Sequence, residues 1–232
     1  MQDPDQPERS TISPETAGGG HNGQVATRPI FLLSPAWCGG RRAALLLRPE
    51  SALPLALRLR QGALPLGEAF TFMSGLYFRG KLAYARAFAS DRRGGGAFVI
   101  TPTRGLQTPE TPVGADLLRE FAAVDVDAGD PRYRAPLEHD LRTLAATLDA
   151  GTPVVLLGSI ATGKYVDVLS AHLAPRLWFP SSFIGRGDMS RGGLLLRAAR
   201  AGAELEYIVL DPSAPRRGPR PARLERIGPA DR

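Results

Sequence analysis

Cysteine and histidine are scarce in this sequence of 232 residues, and their scarcity excludes two kinds of site. Cys38 is the single cysteine, so the chain forms neither an internal disulfide nor a zinc site built from cysteines. The histidines His21, His139 and His172 are scattered, and none occurs at a metal-ligand spacing such as HExxH. The sequence therefore predicts no metal site.

Long apolar runs are also missing. The amino-terminal stretch has no apolar segment of the kind found in a signal peptide, and no run approaches the roughly 20 apolar residues that cross a membrane. We therefore expect a cytoplasmic protein that does not bind a membrane.

Lysine is rare as well, although the chain is basic. Of the 29 basic residues only Lys81 and Lys164 are lysine, and both follow a glycine. An ammonium is a compact point charge that a guanidinium does not replace, so the two lysines are better ligand candidates than an average arginine. The net charge of +6 favours an anionic partner, a nucleotide or a nucleic acid. The alternative is an ordinary solvated surface.

The hydrophobic pattern predicts one α/β domain over residues 28–211. Residues 1–27 contain few apolar side chains and are expected to be a disordered segment, and residues 212–232 form a basic tail rich in proline and arginine. Apolar runs predict strands of a mostly parallel central sheet at 30–33, 97–100, 154–157, 176–179 and 204–210. Helical spacing predicts flanking helices at 51–60, 76–89, 115–123, 137–150, 165–173 and 194–201.

The strongest motif follows the apolar run at 154–157. Its spacing is GxxxxGK, which is typical of a phosphate-binding loop. Glycines let several backbone N–H groups point at one anion, and the N-terminus of the next helix adds a positive end. The predicted phosphate ligands are Gly158, Ser159, Thr162, Gly163 and Lys164.

Tyr165 departs from this motif. It stands where P-loop NTPases have the serine or threonine that holds Mg²⁺. A degenerate P-loop NTPase is therefore a weaker alternative, and we expect no cofactor unless that alternative holds, in which case Mg²⁺ is expected.

Polar residues also follow the other predicted strands, whose carboxyl ends form the ligand crevice in open α/β sheets. Ser34 follows the first strand, ahead of a Gly-Gly-Arg-Arg turn, and Thr103 and Arg104 follow the second. A second glycine-rich loop follows the run at 176–179. It contains Arg186, Asp188, Ser190 and Arg191.

The side chains of this second loop suit anion recognition and proton transfer. Two arginines among glycines favour bidentate binding of phosphate or carboxylate. Asp188 is the predicted acid–base group, with the alternative that it only caps the next helix and pairs with Arg186.

The predicted helix at 76–89, with Ser74 as its N-cap, would group its aromatic side chains on one side. This spacing is more typical of a core than of a base-stacking platform. Arg79 and Lys81 on the same helix are further ligand candidates.

Three short motifs occur in order along the chain: Leu33-Ser34-Pro35-Ala36, then Ser74-Gly75-Leu76-Tyr77-Phe78-Arg79 with Tyr84-Ala85, then Thr103-Arg104-Gly105-Leu106. Over residues 30–210 this order resembles that of YaaA-like proteins. It is also similar to related domains of unknown function found beside tRNA-guanine transglycosylase-type enzymes. The resemblance implies an α/β fold and a role connected with nucleic acid, with DNA binding as proposed for the YaaA group. Trp37 stands where that group has lysine.

Together these observations predict a nucleotide- or nucleic-acid-directed α/β protein with a phosphate-binding crevice. If the protein is an enzyme, the expected reaction is at a nucleobase or a glycosidic bond. The sequence does not decide between an enzyme and a binding protein. In this interpretation Lys164 and Arg186 hold a phosphate, and Ser34 and Thr103 orient the ligand. Ser34 and Asp188 are the catalytic candidates. The alternative is a non-catalytic DNA- or RNA-binding protein.

Overall fold

A computed structural model of the chain describes residues 28–89, 96–149, 151–161, 163–211 and 216–224. The predicted disordered segment 1–27 lies outside these ranges, and so do residues 212–215 and 225–232 of the predicted basic tail. Within the described ranges, no helix is both long enough and apolar enough to cross a membrane.

The described residues form a six-stranded sheet whose central strands are short, buried and apolar. β1 (Ile30–Leu33) lies between β3 (Ala97–Ile100) and β6 (Val154–Leu157), and β7 (Leu177–Pro180) pairs with β6. These four strands are parallel. The edge strands are antiparallel to their neighbours, and the resulting order is β4 (Leu106–Gln107), β3, β1, β6, β7, β8 (Tyr207–Val209).

Helices cover both faces of this sheet. The side chains of β1 alternate between two cores, with Phe31 and Leu33 in one and Ile30 and Leu32 in the other. The first core is completed by α1 (Arg41–Leu47), α2 (Pro54–Arg60), α3 (Leu66–Ser74), α4 (Leu76–Phe88), α5 (Ala115–Ala122) and α8 (Asp188–Ala201). The second is completed by α6 (Pro131–Thr147) and α7 (Gly163–Leu173). The predicted α/β architecture, a mostly parallel sheet flanked by helices, is confirmed.

Two helices begin six residues earlier than predicted. α6 begins at Pro131 because the Asp130 side chain caps it, accepting a hydrogen bond from the Arg132 backbone N–H at 2.8 Å, and proline suits the first helical position. α8 begins at Asp188, so the predicted second glycine-rich loop is helical from that residue onward.

Two further predictions were wrong in detail. Ser74 does not cap α4, because it is the last residue of α3 and Gly75, at φ 63°, forms the junction between the two helices. No strand was predicted within 107–114, yet this segment contains part of β4 and all of β5 (Pro112–Val113), which pairs with β2 (Leu64–Pro65) in a separate two-stranded sheet.

The strand order creates a topological switch point beside β1. The chain passes from β1 to β3 on one side and then returns to β6 on the other side. Ligands of open α/β sheets bind outside the carboxyl ends of the strands at such a point. Ser34 and Gly158, the residues that follow β1 and β6, stand at this point.

Candidate functional site

A crevice of about 970 Å³ opens at the carboxyl ends of β1, β3 and β6. Ser34, Pro102 and Ser159 follow these strands, and α7 adds Lys164 and Tyr165 from its first turn. Charged and aromatic side chains of the surrounding loops and helices complete the lining, among them Trp37, Arg41, Arg42, Tyr77, Asp125, Asp127 and Asp188.

Lys81 contacts Ser34 but is not itself part of the crevice lining. Its Nζ donates hydrogen bonds to the Ser34 carbonyl oxygen at 2.5 Å and to Ser34 Oγ at 2.9 Å. Lys81 is only 1% exposed, and the centres of the Tyr77 and Phe78 rings lie 4.4 and 4.9 Å from Nζ. The Lys81 side chain is thus held in largely apolar surroundings, in contact with Ser34, which belongs to the crevice lining.

Burial lowers the pKa of Lys81 to about 7. The Asp188 carboxylate acts in the opposite direction and the Arg191 guanidinium acts in the same direction as burial. Near neutral pH both forms of the amine are populated, so this side chain can take up and release a proton.

Two tyrosines approach the same point. Tyr165 extends from α7 toward Ser34; burial raises the pKa of its phenol, and hydrogen bonding with the Ser34 side chain opposes this effect. Tyr77 lines the crevice from α4, and burial raises its pKa as well, opposed by Arg191. The Tyr77 hydroxyl is itself buried, and among the described residues it makes no hydrogen bond of ordinary geometry. The Arg191 guanidinium is the group that interacts with it and lowers its pKa.

Arg191 and Asp188 reach the site from the first turn of α8. The buried Arg191 guanidinium donates to the Phe183 carbonyl oxygen through Nε at 3.3 Å and Nη2 at 3.2 Å, and its Nη1 lies 3.6 Å from Asp188 Oδ1. The Asp188 side chain is 68% exposed at the crevice. Arg191 therefore fixes the start of α8, whereas Asp188 is open to a ligand.

The GxxxxGK loop opens onto the crevice as it leaves β6. Ser159 and the exposed Lys164 line the crevice, and Gly158 packs against Ser34, where a methyl group would lie 3.0 Å from the Ser34 Cβ. Gly163 is the first residue of α7, and Thr162 lies outside the described residues.

Thr103 and Arg104 face away from the crevice. The Thr103 hydroxyl donates to the Glu120 carboxylate, and Arg104 Nη2 lies 2.6 Å from the other oxygen of Glu120. The reason is the short loop between β3 and β4, in which Gly105 has φ 55° and the chain turns back along the sheet. Pro102 is the residue of this loop that lies against the crevice.

Three more of the predicted ligands lie outside the crevice: Arg186, Ser190 and Arg79. Arg186 donates to the Ser182 carbonyl at 3.0 Å, to Ser190 Oγ at 3.1 Å and to the Ala222 carbonyl at 3.3 Å. The alternative that Arg186 pairs with Asp188 was wrong, since the partner of Asp188 is Arg191. Arg79 is exposed in a separate hollow beside α3.

Sequence reasoning missed Tyr77 and Tyr165 as site residues. The spacing assigned Tyr77 to the core, and it is indeed buried, yet it also belongs to the lining of the crevice. Tyr165 was interpreted only as the loss of a magnesium ligand. Its place in the first turn after a strand and a glycine-rich loop was the signal that points to the site.

Among the described residues, no group of three or more histidine, cysteine or acidic side chains is placed to hold a metal ion. Comparisons with protein-family models, with curated proteins and with solved structures find no match. The geometry of the site itself is therefore the basis for a functional proposal.

Proposed function

We propose that this chain binds a nucleotide, free or as part of a nucleic acid, in the crevice between β1 and β6. The observation that supports this most directly is the position of the crevice at the topological switch point, with the first turn of α7 and Lys164 on its wall. A helix N-terminus with a lysine in its first turn attracts a phosphate group.

The remaining lining suits the other parts of a nucleotide. A volume of about 970 Å³ is large enough for base, sugar and phosphate together. Arg41 and Arg42 add positive charge on the side of the crevice formed by α1. The carboxylates of Asp125 and Asp127 are acceptors for sugar hydroxyls or for the amino group of a base.

The resemblance to YaaA-like proteins supports the same ligand class, because it implies a role connected with nucleic acid. Chemistry at a nucleobase or a glycosidic bond would need a group that transfers a proton close to the ligand. Ser34 and Asp188 both line the crevice and are the residues we propose for catalysis.

A thermal-shift series tests this proposal. The protein is heated with nucleotides, ribose phosphates, free bases and short single- and double-stranded nucleic acids, because a ligand that binds the folded state raises the melting temperature. We expect one nucleotide to stabilise the wild-type protein and to lose this effect in Lys164→Ala. The control Arg200→Ala removes an exposed positive charge from the far end of α8 and should leave the shift intact. If the nucleotide raised the melting temperature of Lys164→Ala and of Arg42→Ala as much as that of the wild-type protein, the proposal would be contradicted.

A second candidate function is non-catalytic binding of DNA or RNA. It is favoured by the described segment 216–224, which contacts the loop before α8 through Ala222 and exposes Arg217, Arg220 and Arg223. Contacts with phosphate weaken steeply with salt, so the slope of affinity against salt concentration would fall in a variant with alanine at these three arginines. Binding that is insensitive to salt would exclude this function.

A further inference from the structure

The pairing of Ser34 with Lys81 goes beyond ligand binding. Ser34 is the first residue after β1 and belongs to the lining of the crevice, although it is only 5% exposed. Lys81, which is not part of the lining, donates a hydrogen bond to Ser34 Oγ at 2.9 Å. A ligand in the crevice would therefore contact Ser34, whose hydroxyl is hydrogen-bonded to the Lys81 amine.

The surroundings of Lys81 favour proton exchange with Ser34 over a structural ion pair. Among the described residues no carboxylate pairs with Lys81; both of its hydrogen bonds go to Ser34. The charged and titratable groups that face it are Tyr77 from its own helix and Asp188 and Arg191 from α8, while Tyr165 from α7 faces Ser34. Since burial lowers the pKa of Lys81 to about 7, a neutral amine is available as a base.

We propose that Ser34 is a nucleophile toward phosphate esters and that Lys81 is the base that activates it. The substrate class rests on the proposed function, because Lys164, Arg41 and Arg42 on the crevice walls would neutralise the charge of a bound phosphate. A lysine that sits behind a serine, rather than on the crevice surface, acts through that serine and not as a nucleophile itself.

The step can be written in full. The Lys81 amine accepts the proton of Ser34 Oγ while Oγ forms a bond to phosphorus. The bond from phosphorus to the leaving alcohol breaks, and the leaving oxygen takes a proton from a water molecule. The hydroxide that remains attacks the phosphoserine, the Oγ–phosphorus bond breaks, and the Lys81 ammonium returns its proton to Oγ. Phosphate and alcohol are released, and both side chains return to their starting forms.

An alkyl fluorophosphonate tests this pair in the full-length protein without knowledge of the substrate. Attack by Ser34 Oγ on phosphorus expels fluoride and leaves an adduct that peptide mass spectrometry assigns to one residue. We expect an adduct on Ser34 whose rate of formation rises between pH 6 and 8 with a midpoint near 7, as Lys81 loses its proton. No adduct on Ser34, or a rate that does not change over this range, would overturn the proposal.

Variants supply the second measurement. Lys81→Met keeps the length and apolar packing of the stem, and we expect it to slow labelling by about 100-fold or more and to flatten the pH profile. Ser34→Ala should carry no adduct at position 34. Ser51→Ala, which changes a serine that does not belong to the crevice lining, should label at the wild-type rate. If Lys81→Met does not fold, the pH profile of the wild-type protein still decides.

The thermal-shift series separates this inference from the proposed function. A protein that binds a nucleotide but leaves Ser34 unlabelled would retain the proposed function and refute the Ser34–Lys81 pair. Labelling of Ser34 with the expected pH profile, in a protein that no nucleotide or nucleic acid stabilises, would support the pair as nucleophile and base and refute the nucleotide as its ligand.

Discussion

Gly80 and Gly192 face each other where α4 crosses α8, and a methyl group on Gly80 would lie 2.5 Å from the Gly192 carbonyl oxygen. Their neighbours in sequence are Lys81 and Arg191, which belong to the site. The absence of side chains at this crossing lets the two helices approach closely, with Lys81 in contact with Ser34 at the end of β1 and Arg191 near Lys81. The packing of these helices and the proposed site therefore depend on the same contact.

Gly192→Ala should destabilise the protein. The added methyl group would lie 2.7 Å from the Leu76 carbonyl oxygen, which is backbone and cannot move aside. We expect a loss of about 1–3 kcal/mol in the free energy of unfolding, measured by urea denaturation. Gly193→Ala is the matched control, because its nearest neighbour is a Leu224 methyl at 3.5 Å and alanine favours helix. Equal stability of the two variants would show that the crossing tolerates a side chain.

Lys81 should make the stability depend on pH between 7 and 9. In the folded protein its pKa is about 7, whereas its ordinary value is 10.5, so unfolding in this range takes up a proton. The free energy of unfolding should consequently rise with pH, by about 1 kcal/mol for each pH unit from this residue. Lys81→Met lacks this contribution. The difference in the free energy of unfolding between the wild-type protein and Lys81→Met, measured by denaturation, should therefore change with pH by that slope. If the two free energies changed with pH in parallel, Lys81 would be charged in the folded protein.

Removing the hydroxyl of Tyr84 should destabilise the protein more than removing the hydroxyl of Tyr77. Tyr84 Oη accepts a hydrogen bond from the Leu205 backbone N–H at 2.8 Å and lies 2.5 Å from Tyr207 Oη. Tyr84→Phe leaves these groups without their partner, and we expect a loss of about 1–3 kcal/mol. Tyr77→Phe removes a hydroxyl that makes no hydrogen bond of ordinary geometry to the described residues and interacts only with the Arg191 guanidinium, so its loss should be smaller than that of Tyr84→Phe. Thermal denaturation of both variants checks the contrast, which a larger loss in Tyr77→Phe would reverse.

Cys38 should be unreactive in the folded protein, although it borders the crevice. Burial raises the pKa of its thiol to about 12, so the thiolate is nearly absent at pH 8. We expect a maleimide to modify Cys38 only in denaturant and the Cys38→Ser variant to react with the fluorophosphonate as the wild-type protein does. Rapid modification under native conditions would instead identify Cys38 as a second nucleophile.

The sheet could be predicted because its central strands are uninterrupted apolar runs that end at glycine, serine or threonine. The start of α8 could not, because glycines at 185, 187, 192 and 193 indicate a loop when only local propensity is considered. Gly192 is in fact required in the helix by the crossing with α4, a contact between segments more than 100 residues apart. No local pattern contains that information.

The candidate site was predictable only in part for a similar reason. Ser34 and the loop at 158–164 follow parallel strands, and the rule that carboxyl ends meet at one edge places them together. Thr103 follows such a strand too, but the tight turn at Gly105 and the carboxylate of Glu120 direct it elsewhere. That Lys81 would reach Ser34 from a distant helix depends on tertiary packing alone.

The two lysines of the chain differ in exposure, so chemical modification can distinguish them. Lys164 is exposed on the crevice wall and Lys81 is enclosed, so an amine-reactive reagent applied to the native protein would acylate Lys164 and the α-amino group and spare Lys81. With no other lysine to obscure the signal, the acylation of a single side chain would report whether the crevice is occupied. Because the chain carries nearly all its other positive charge as arginine, protection of Lys164 from acylation would test the proposed ligand binding.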